Sequence, residues 1–532
     1  MTPRKIFLLF ATLTLVGAGV TGAFSPMGSL AWLPALLVVA IGFYDMAQTR
    51  HAIRRNFPVV GHFRYMLESV GPELRQYFVE SNSSGRPFSR QLRALVYQRA
   101  KNVTDTIPFG TEHDVYEVGY EWMNHSLLAH HPHGDPPRVT VGGPDCKRPY
   151  AAALLNVSAM SYGSLSKNAI LALSRGAKAG GFAHNTGEGG LSPYHLEGGA
   201  DIIWQIGTGY FGCRDAEGAF DGALFAKKAT HEQIKMVEIK LSQGAKPGHG
   251  GILPAAKVTE EIAKIRHVPR GRDVVSPPTH SAFDSPKGLL EFVARLRDLS
   301  GGKPVGFKLC IGKRREFLAI CKAMLDTGIT PDFITVDGGE GGTGAAPVEF
   351  SNTLGTPLDE ALVFVHNSLV GVGVRERIKV IASGRVVTGF DIAKKIAIGA
   401  DLCNSARAMM FALGCIQAQR CNSNDCPTGV ATQDPDLVVG LVVTDKAARV
   451  AAFQKNTVKA FVDLIAAAGL HRPEELRPWH IMRRVTSTEV RHYAEMYEYL
   501  SPGALLREPL PRSFARAWIA AAPDSFRSLS SD

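Results

Sequence analysis

The sequence has no internal repeat and no long low-complexity tract, which excludes a solenoid and a disordered spacer. Cysteine is scarce: there are eight in 532 residues, and Cys146, Cys213, Cys310, Cys321 and Cys403 stand alone. Unpaired spacing of this kind excludes a secreted disulfide scaffold and fits a reducing compartment. Beside the other three cysteines there is no tight C-x2-C pair and no histidine, which argues against structural zinc. A literal G-x-G-x-x-G at Gly207, Gly209 and Gly212 has no clean helix behind it and makes a poor dinucleotide site. What is present is a chain with 45% hydrophobic residues, long enough for one large barrel and smaller appended parts.

Two apolar runs open the chain, residues 6–24 and 30–44, joined by SPMGS. Each is close to the roughly 20 residues that cross hydrocarbon, so a hairpin of two transmembrane helices is expected over residues 1–49. Arg4 and Lys5 precede the hairpin and Arg50, Arg54 and Arg55 follow it. By the positive-inside rule both ends, and with them the body of the protein, lie in the cytoplasm at the cell membrane. A cleaved signal peptide is the rival reading. Between Arg50 and Lys101 ten basic residues face three acidic ones, a local +7 in a chain of net charge +10. Next to an apolar run, this suits anionic lipid headgroups better than nucleic acid; an acidic electron carrier docking there is the sharper alternative.

Residues 50–150 read as a basic juxtamembrane region of helices and loops. Its HSLLAHHPHGDPP run gathers His125, His130, His131 and His133, spaced too loosely and too rich in proline for a metal site, so a loop packed on the barrel is expected. From 151 to 440 the pattern becomes short apolar runs that end in glycine-rich turns and alternate with helical stretches. The candidate strands are LLNVSAM (154–160), FAHNTG (182–187), IIWQIG (202–207), VEIKL (237–241), PVGFKLC (304–310), FITVDGG (333–339), KVIASGR (379–385) and ADLCNSA (400–406). Eight strands alternating with helices predict an α/β fold of the (β/α)8 TIM-barrel type, although an open doubly wound sheet shows the same alternation. Residues 441–532 read as a helical extension on the barrel's outside.

In such a barrel the working groups lie at the carboxyl ends of the strands. SGR after the seventh strand supplies Gly384 and Arg385, and SAR after the eighth supplies Ala406 and Arg407; amides and guanidinium groups there suit a phosphate. After the sixth strand, Gly339 and Gly342 belong to a loop bare enough to approach a flavin or a cluster closely. Lys308, on the fifth strand, either places a cation near the N1–O2 side of a flavin or neutralises a carboxylate inside the barrel. Late in the chain, Cys415, Cys421 and Cys426 lie in one loop, GCIQAQRCNSNDCPTGVATQ, which suits an iron–sulfur cluster, with zinc as the lesser alternative.

That loop resembles the cluster loop of glutamate synthases. So do SAMSYGSLS (158–166), NTGEGG (185–190), KLSQGAKPGHGG (240–251), SPPTH (276–280) and DGGEGGTGAAP (337–347), in the family's order over roughly residues 130–480. The resemblance implies FMN, held in part by Ser161, and a [3Fe-4S] cluster on the three cysteines. It further implies a 2-oxoglutarate site lined by Glu188, Lys240, Gln243, Lys246 and Arg266, a set that offers cations for two carboxylates and a carboxyl or amide for the imine. Electrons would enter from a ferredoxin-like or other donor, and 2-iminoglutarate, formed with ammonia or with nitrogen from an ammonia-delivering partner, would be reduced to L-glutamate. His249 departs from the family, which usually has an acidic residue there. Neither the glutaminase domain with its nucleophilic N-terminal cysteine nor the β-helix domain of the large enzymes fits this sequence. Reduction of another imine or keto acid, and a plain electron relay, are the competing functions.

Overall fold

The computed structural model describes residues 2–25, 30–103 and 106–527. It divides into two compact units, Met1–Gln91 and Leu92–Asp532.

The first unit begins with the helix Pro3–Phe24, whose 22 apolar-rich residues are enough to cross a membrane. A second apolar helix, Leu33–Ala47, has 15 residues and falls short of that length. The turn expected between the two runs lies, after Ser25, outside the described residues. The helices run antiparallel: the Phe7 ring meets Phe43 edge-on at 5.5 Å, and a Cβ on Gly17 would strike the Trp32 ring. Shorter helices Ala52–Asn56 and Gly61–Leu74 follow.

The second unit is built on a closed barrel of eight parallel strands: β1 (Leu155–Val157), β2 (Ala183–Asn185), β3 (Asp201–Ile206), β4 (Ile234–Lys240), β5 (Val305–Leu309), β6 (Phe333–Asp337), β7 (Lys379–Ser383) and β8 (Leu402–Ser405). Every one overlaps a run expected from the sequence. The open-sheet alternative is removed by the pairing of β8 with β1, Cys403 opposite Leu155 and Ser405 opposite Val157. The strands are buried on both faces, as parallel strands covered by helices must be.

The barrel's centre is more polar than its strand sequences suggest. The buried carboxylate of Glu238 accepts hydrogen bonds from Asn185 (2.8 Å), Gln205 (2.7 Å) and Thr335 (2.6 Å), so four strands are tied through one side chain. Outer helices start and stop on local signals. Lys167–Gly180 is capped by Ser166, whose hydroxyl accepts from the Ala169 amide, and it ends at Gly181 with φ +67°. The long helix Val443–Ala467 crosses it so closely that a Cβ on Gly176 would lie 2.7 Å from the Ala447 carbonyl oxygen.

The flanking regions differ from expectation. The C-terminal part is not wholly helical: Ile481–Arg484 pairs with Val490–His492 and with Glu121–Met123 in a three-stranded antiparallel sheet. Residues 138–153 likewise form a hairpin, Arg138–Val141 on Tyr150–Ala153. The histidine-rich loop packs on the C-terminal extension and not directly on the barrel: the His130 ring stacks on His471 at 4.3 Å, and the His130 amide donates to the Ala466 carbonyl at 3.3 Å.

Candidate active site

The residues singled out at strand ends converge on one end of the barrel. Lys240 is the last residue of β4, Glu188 lies in the loop after β2, and Gln243 and Lys246 follow β4. All four line one small cavity, together with Thr208, Ser242 and Pro278. Lys240 Nζ donates to Glu188 Oε1 at 2.7 Å, and Lys246 Nζ donates to the Ala345 carbonyl at 2.7 Å. Arg266 stands behind them, not in the wall: its Nη2 donates to the Tyr162 carbonyl (3.0 Å), its guanidinium lies 5.3 Å over the Phe211 ring, and its buried Nε has no partner.

The electrostatics of this group are one-sided. Burial pushes the Glu188 carboxyl up, but Lys240, reinforced by Lys246 and Arg266, outweighs that and holds it below the usual carboxylate range. Burial brings Lys246 down to about 8, against the pull of Glu188. It brings Arg266 down to about 10. Three buried cations around one carboxylate leave an excess of positive charge that an anionic ligand would satisfy. The SPPTH run supports the same place: Ser276 reaches Glu188 at 3.4 Å, and His280 bridges the Lys240 carbonyl (2.9 Å) and the Tyr210 hydroxyl (3.0 Å). His249, between two glycines of the cavity wall, turns its ring edge-on to Phe350 at 5.1 Å, and its Nδ1 is buried without a partner.

The loops after β4 and β6 meet backbone to backbone. The Gly244 amide donates to Asp337 Oδ2 (2.9 Å), and a Cβ on Gly244 would fall 1.6 Å from the Gly338 carbonyl oxygen. Gly244→Ala is therefore expected to force the two loops apart and lower the thermal unfolding midpoint, measured by circular dichroism. An unchanged midpoint would mean that the loops do not meet in this way.

Lys308 pairs with Asp337, Nζ to Oδ2 at 3.2 Å; burial lowers its pKa, yet Asp337 and Glu238 prevail and raise it. Lys308 thus neutralises a carboxylate inside the barrel, at the residue where β6 ends and the bare glycine loop begins. Beyond β7 and β8, Arg385 and Arg407 lie near enough for Arg385, after burial, to help bring Arg407 down to about 10. Arg407 Nη2 donates to the Glu340 carbonyl at 2.6 Å. Ala406 is the residue before the short helix Arg407–Ala412. A Cβ on Gly342 would come within 2.7 Å of the Arg407 side chain, and one on Gly384, at φ +145°, would close on Leu358 and the Gly338 amide. Gly339 donates its amide to the Thr356 carbonyl at 2.8 Å, and the Ser161 hydroxyl donates to Ser164 at 2.9 Å. Two guanidinium groups beside glycine-walled space suit a phosphate ester such as that of FMN.

The cysteine loop is wound by three non-glycine residues in the left-handed region, Gln417, Gln419 and Asn424. Among the described residues no three His, Cys, Asp or Glu side chains are gathered into an ion site. The three sulfurs are nevertheless near enough to act on one another: burial raises Cys415 to about 12 with Cys421 and Cys426 adding to it, and burial and Cys426 raise Cys421. Burial also acts on Cys426, but the Thr428 hydroxyl and the amides of Ala431, Thr428 and Val430 prevail and lower it. Cations stand beside this loop. Lys257, 2% exposed, donates to the carbonyls of Ser164 (3.1 Å), Cys421 (2.7 Å) and Ala431 (2.7 Å). One turn before Tyr97, whose hydroxyl donates to the Cys415 carbonyl at 2.7 Å, the buried Arg93 has an Nε without a partner. Three soft sulfurs, amide donors and buried cations are a donor set that fits an anionic iron–sulfur cluster. Sequence reading missed Lys257 and Arg93, for a lysine in AAKV and an arginine in a basic helix carry no mark of burial.

A closed parallel barrel with a cation-lined cavity at the carboxyl ends of its strands defines the class, a TIM-barrel enzyme. Residues 145–471 match the model of the conserved region in glutamate synthase. The chain is 40% identical to a glutamate synthase large subunit-like protein, YerD, of Bacillus subtilis, over 85% of this chain and 93% of that one. It is 38% identical to the archaeal glutamate synthase [NADPH] of Methanocaldococcus jannaschii, over 60% of each chain. Among solved structures, mandelate oxidase superposes on 75% of this chain and 98% of its own with a TM-score of 0.41 and 15% identity. The chain belongs to the glutamate synthase family and is an oxidoreductase of that type.

Proposed function

We propose that this chain carries out reductive amination of 2-oxoglutarate, through 2-iminoglutarate, to L-glutamate, with FMN and a [3Fe-4S] cluster. Ammonia would come free or from an ammonia-delivering partner, and electrons from a ferredoxin-like or other donor. The N-terminal hairpin would anchor the enzyme in the cell membrane with the barrel in the cytoplasm. Family membership and the cation-lined cavity around Glu188 support this reading, and the cavity carries it: a dicarboxylate needs two cationic contacts, and Lys240 and Lys246 both lie in its wall.

Hydride chemistry belongs to bound FMN and one-electron supply to the bound cluster. Arg385 and Arg407 would take the phosphate, the loop with Gly339 and Gly342 would approach the ring, and Lys308 would hold positive charge beside it. Cys415, Cys421 and Cys426 would ligate the cluster. Lys240 and Lys246 bind the substrate's carboxylates, with Arg266 adding charge from behind. The ionised Glu188 accepts an N–H from the imine nitrogen and so orients the carbon to be reduced. Gln243 supplies an amide at the same wall.

The reading is tested by photoreducing the purified protein and following its reoxidation by 2-oxoglutarate with ammonium, against pyruvate with ammonium. Preference for the dicarboxylate, with glutamate formed, is expected; equal rates would favour reduction of another keto acid, and no substrate dependence an electron relay. A pH dependence follows from Lys246. Because it titrates at about 8 in the free protein and an anion binds only its charged form, 2-oxoglutarate affinity should be flat at neutral pH and fall as pH rises above about 8. The loss should approach about tenfold per pH unit, read from flavin absorbance titrations. Affinity that is constant up to strongly alkaline pH would remove Lys246 from the binding set.

A further inference from the structure

The helix Gly61–Leu74, continued by one π-helical turn Arg75–Val79, carries Phe63, Met66, Leu67, Val70, Leu74 and Phe78 at helical intervals, so that they share one face. All six are between 42% and 82% exposed. A contiguous apolar stripe of this length is unlike the scattered single hydrophobics of an ordinary protein surface. The helix's packing against its own unit uses a different face. His62 Nε2 lies 2.8 Å from Asp45 Oδ1, and the Tyr65 ring meets the Arg54 guanidinium at 4.6 Å and the His51 ring edge at 5.2 Å.

The level of this helix relative to the apolar helices is fixed by Asp45. That carboxylate, fully buried in the last turn of Leu33–Ala47, also accepts from the Val59 amide at 2.9 Å. The antiparallel contact of Phe7 with Phe43 puts Asp45 at the same end of the helix pair as Arg4 and Lys5. The striped helix therefore starts at the charged end of the apolar pair. Its charges are partly cancelled: Arg64 pairs with Glu68 at 2.7 Å and Arg75 with Glu80 at 3.8 Å. Attraction to charge alone would hold it weakly, whereas the stripe supplies apolar area.

We infer that Gly61–Val79 is an in-plane membrane helix, pinned by the Asp45–His62 contact at the charged end of the anchor, with its Phe63-to-Phe78 stripe among lipid acyl chains. This rests on the membrane anchor proposed above. Its occupant is lipid and not a protein partner, because the contact that orients the helix also sets it at the level where the Pro3–Phe24 helix leaves the hydrocarbon.

The test uses the full-length protein in vesicles of mixed phosphatidylethanolamine and phosphatidylglycerol, with the photocrosslinker p-benzoylphenylalanine placed singly at exposed positions. Phe63, Leu67 and Leu74 probe the stripe, Glu68 and Ser69 the remaining faces, and Leu13 the first helix. Lipid adducts, read by mass spectrometry, are expected at the three stripe positions and at Leu13 several-fold above those at Glu68 and Ser69, and high salt should leave them unchanged. Adducts at Leu13 with none at the stripe would overturn the in-plane helix and leave the anchor standing. No lipid adduct at Leu13 would overturn the anchor itself. Stripe adducts to a second copy of the chain, or to another protein, would assign the face to that partner and overturn the inference.

Discussion

Cys421→Ser is expected to strip the protein of iron and of an iron–sulfur EPR signal while leaving FMN bound. The two proposed sites use different loops: the cysteines lie between Gly414 and Thr428, whereas the phosphate-binding set lies after β7 and β8 at Gly384, Arg385, Ala406 and Arg407. A serine at 421 replaces a soft thiolate by a poor ligand for iron, yet barely changes volume in a loop already fixed by Lys257. Turnover driven by an external donor should drop to background. Reoxidation of photoreduced flavin by 2-oxoglutarate and ammonium should survive, since it begins downstream of electron entry. Equal iron in variant and wild type would remove the cluster from these cysteines, and loss of FMN along with iron would show that the two sites are not independent.

The second large effect is expected at Lys240. Its ammonium and Glu188 form a buried pair, with side chains 8% and 17% exposed. Removing one partner of such a pair costs about 3–5 kcal/mol, because the other charge stays buried and uncompensated. Lys240→Met should therefore lower the denaturation midpoint and also weaken 2-oxoglutarate binding. A charge-assisted hydrogen bond of about 1.5–3 kcal/mol corresponds to roughly ten- to a hundredfold in affinity. The two effects separate in the double variant Lys240→Met/Glu188→Gln, which relieves the stranded carboxylate and should regain stability without regaining affinity. Pyruvate, with one carboxylate, should lose less than 2-oxoglutarate. Unchanged dicarboxylate affinity in Lys240→Met would sink the binding role, and a double variant no more stable than the single one would sink the ion pair.

All eight barrel strands were legible in the sequence because each is a short buried run closed by glycine or a polar residue, as in VEIKL before SQG and FITVD before GGEGG. Closure was not legible, since alternation of strand and helix is the same in open and closed sheets; the pairing of β8 with β1, from Cys403 opposite Leu155 to Ser405 opposite Val157, distinguishes them. The glycines of the loops after β4 and β6 announced themselves by density, and Gly244 shows why: another carbonyl occupies the place of its side chain. Pairings across strands left no local trace. Asp337 as the partner of Lys308, or Met123 opposite Ile481, depends on register set by the whole fold. Arg266 was grouped by motif with the cavity residues, whereas its position behind the wall follows from the path of the helix Glu260–Arg266, which spacing alone does not give.

Lys257 bears on how an electron would be received. One ammonium joins the carbonyls of Ser164, Cys421 and Ala431, so the loop after β1 and the cysteine loop cannot shift apart without breaking its hydrogen bonds. Dipoles held in place beforehand need little rearrangement when charge arrives. Around a cluster held by these cysteines, the joined loops would form a stiff solvent shell of low reorganisation energy. Amide hydrogen exchange in residues 161–166 and 415–431 should accordingly slow and quicken together, as one body.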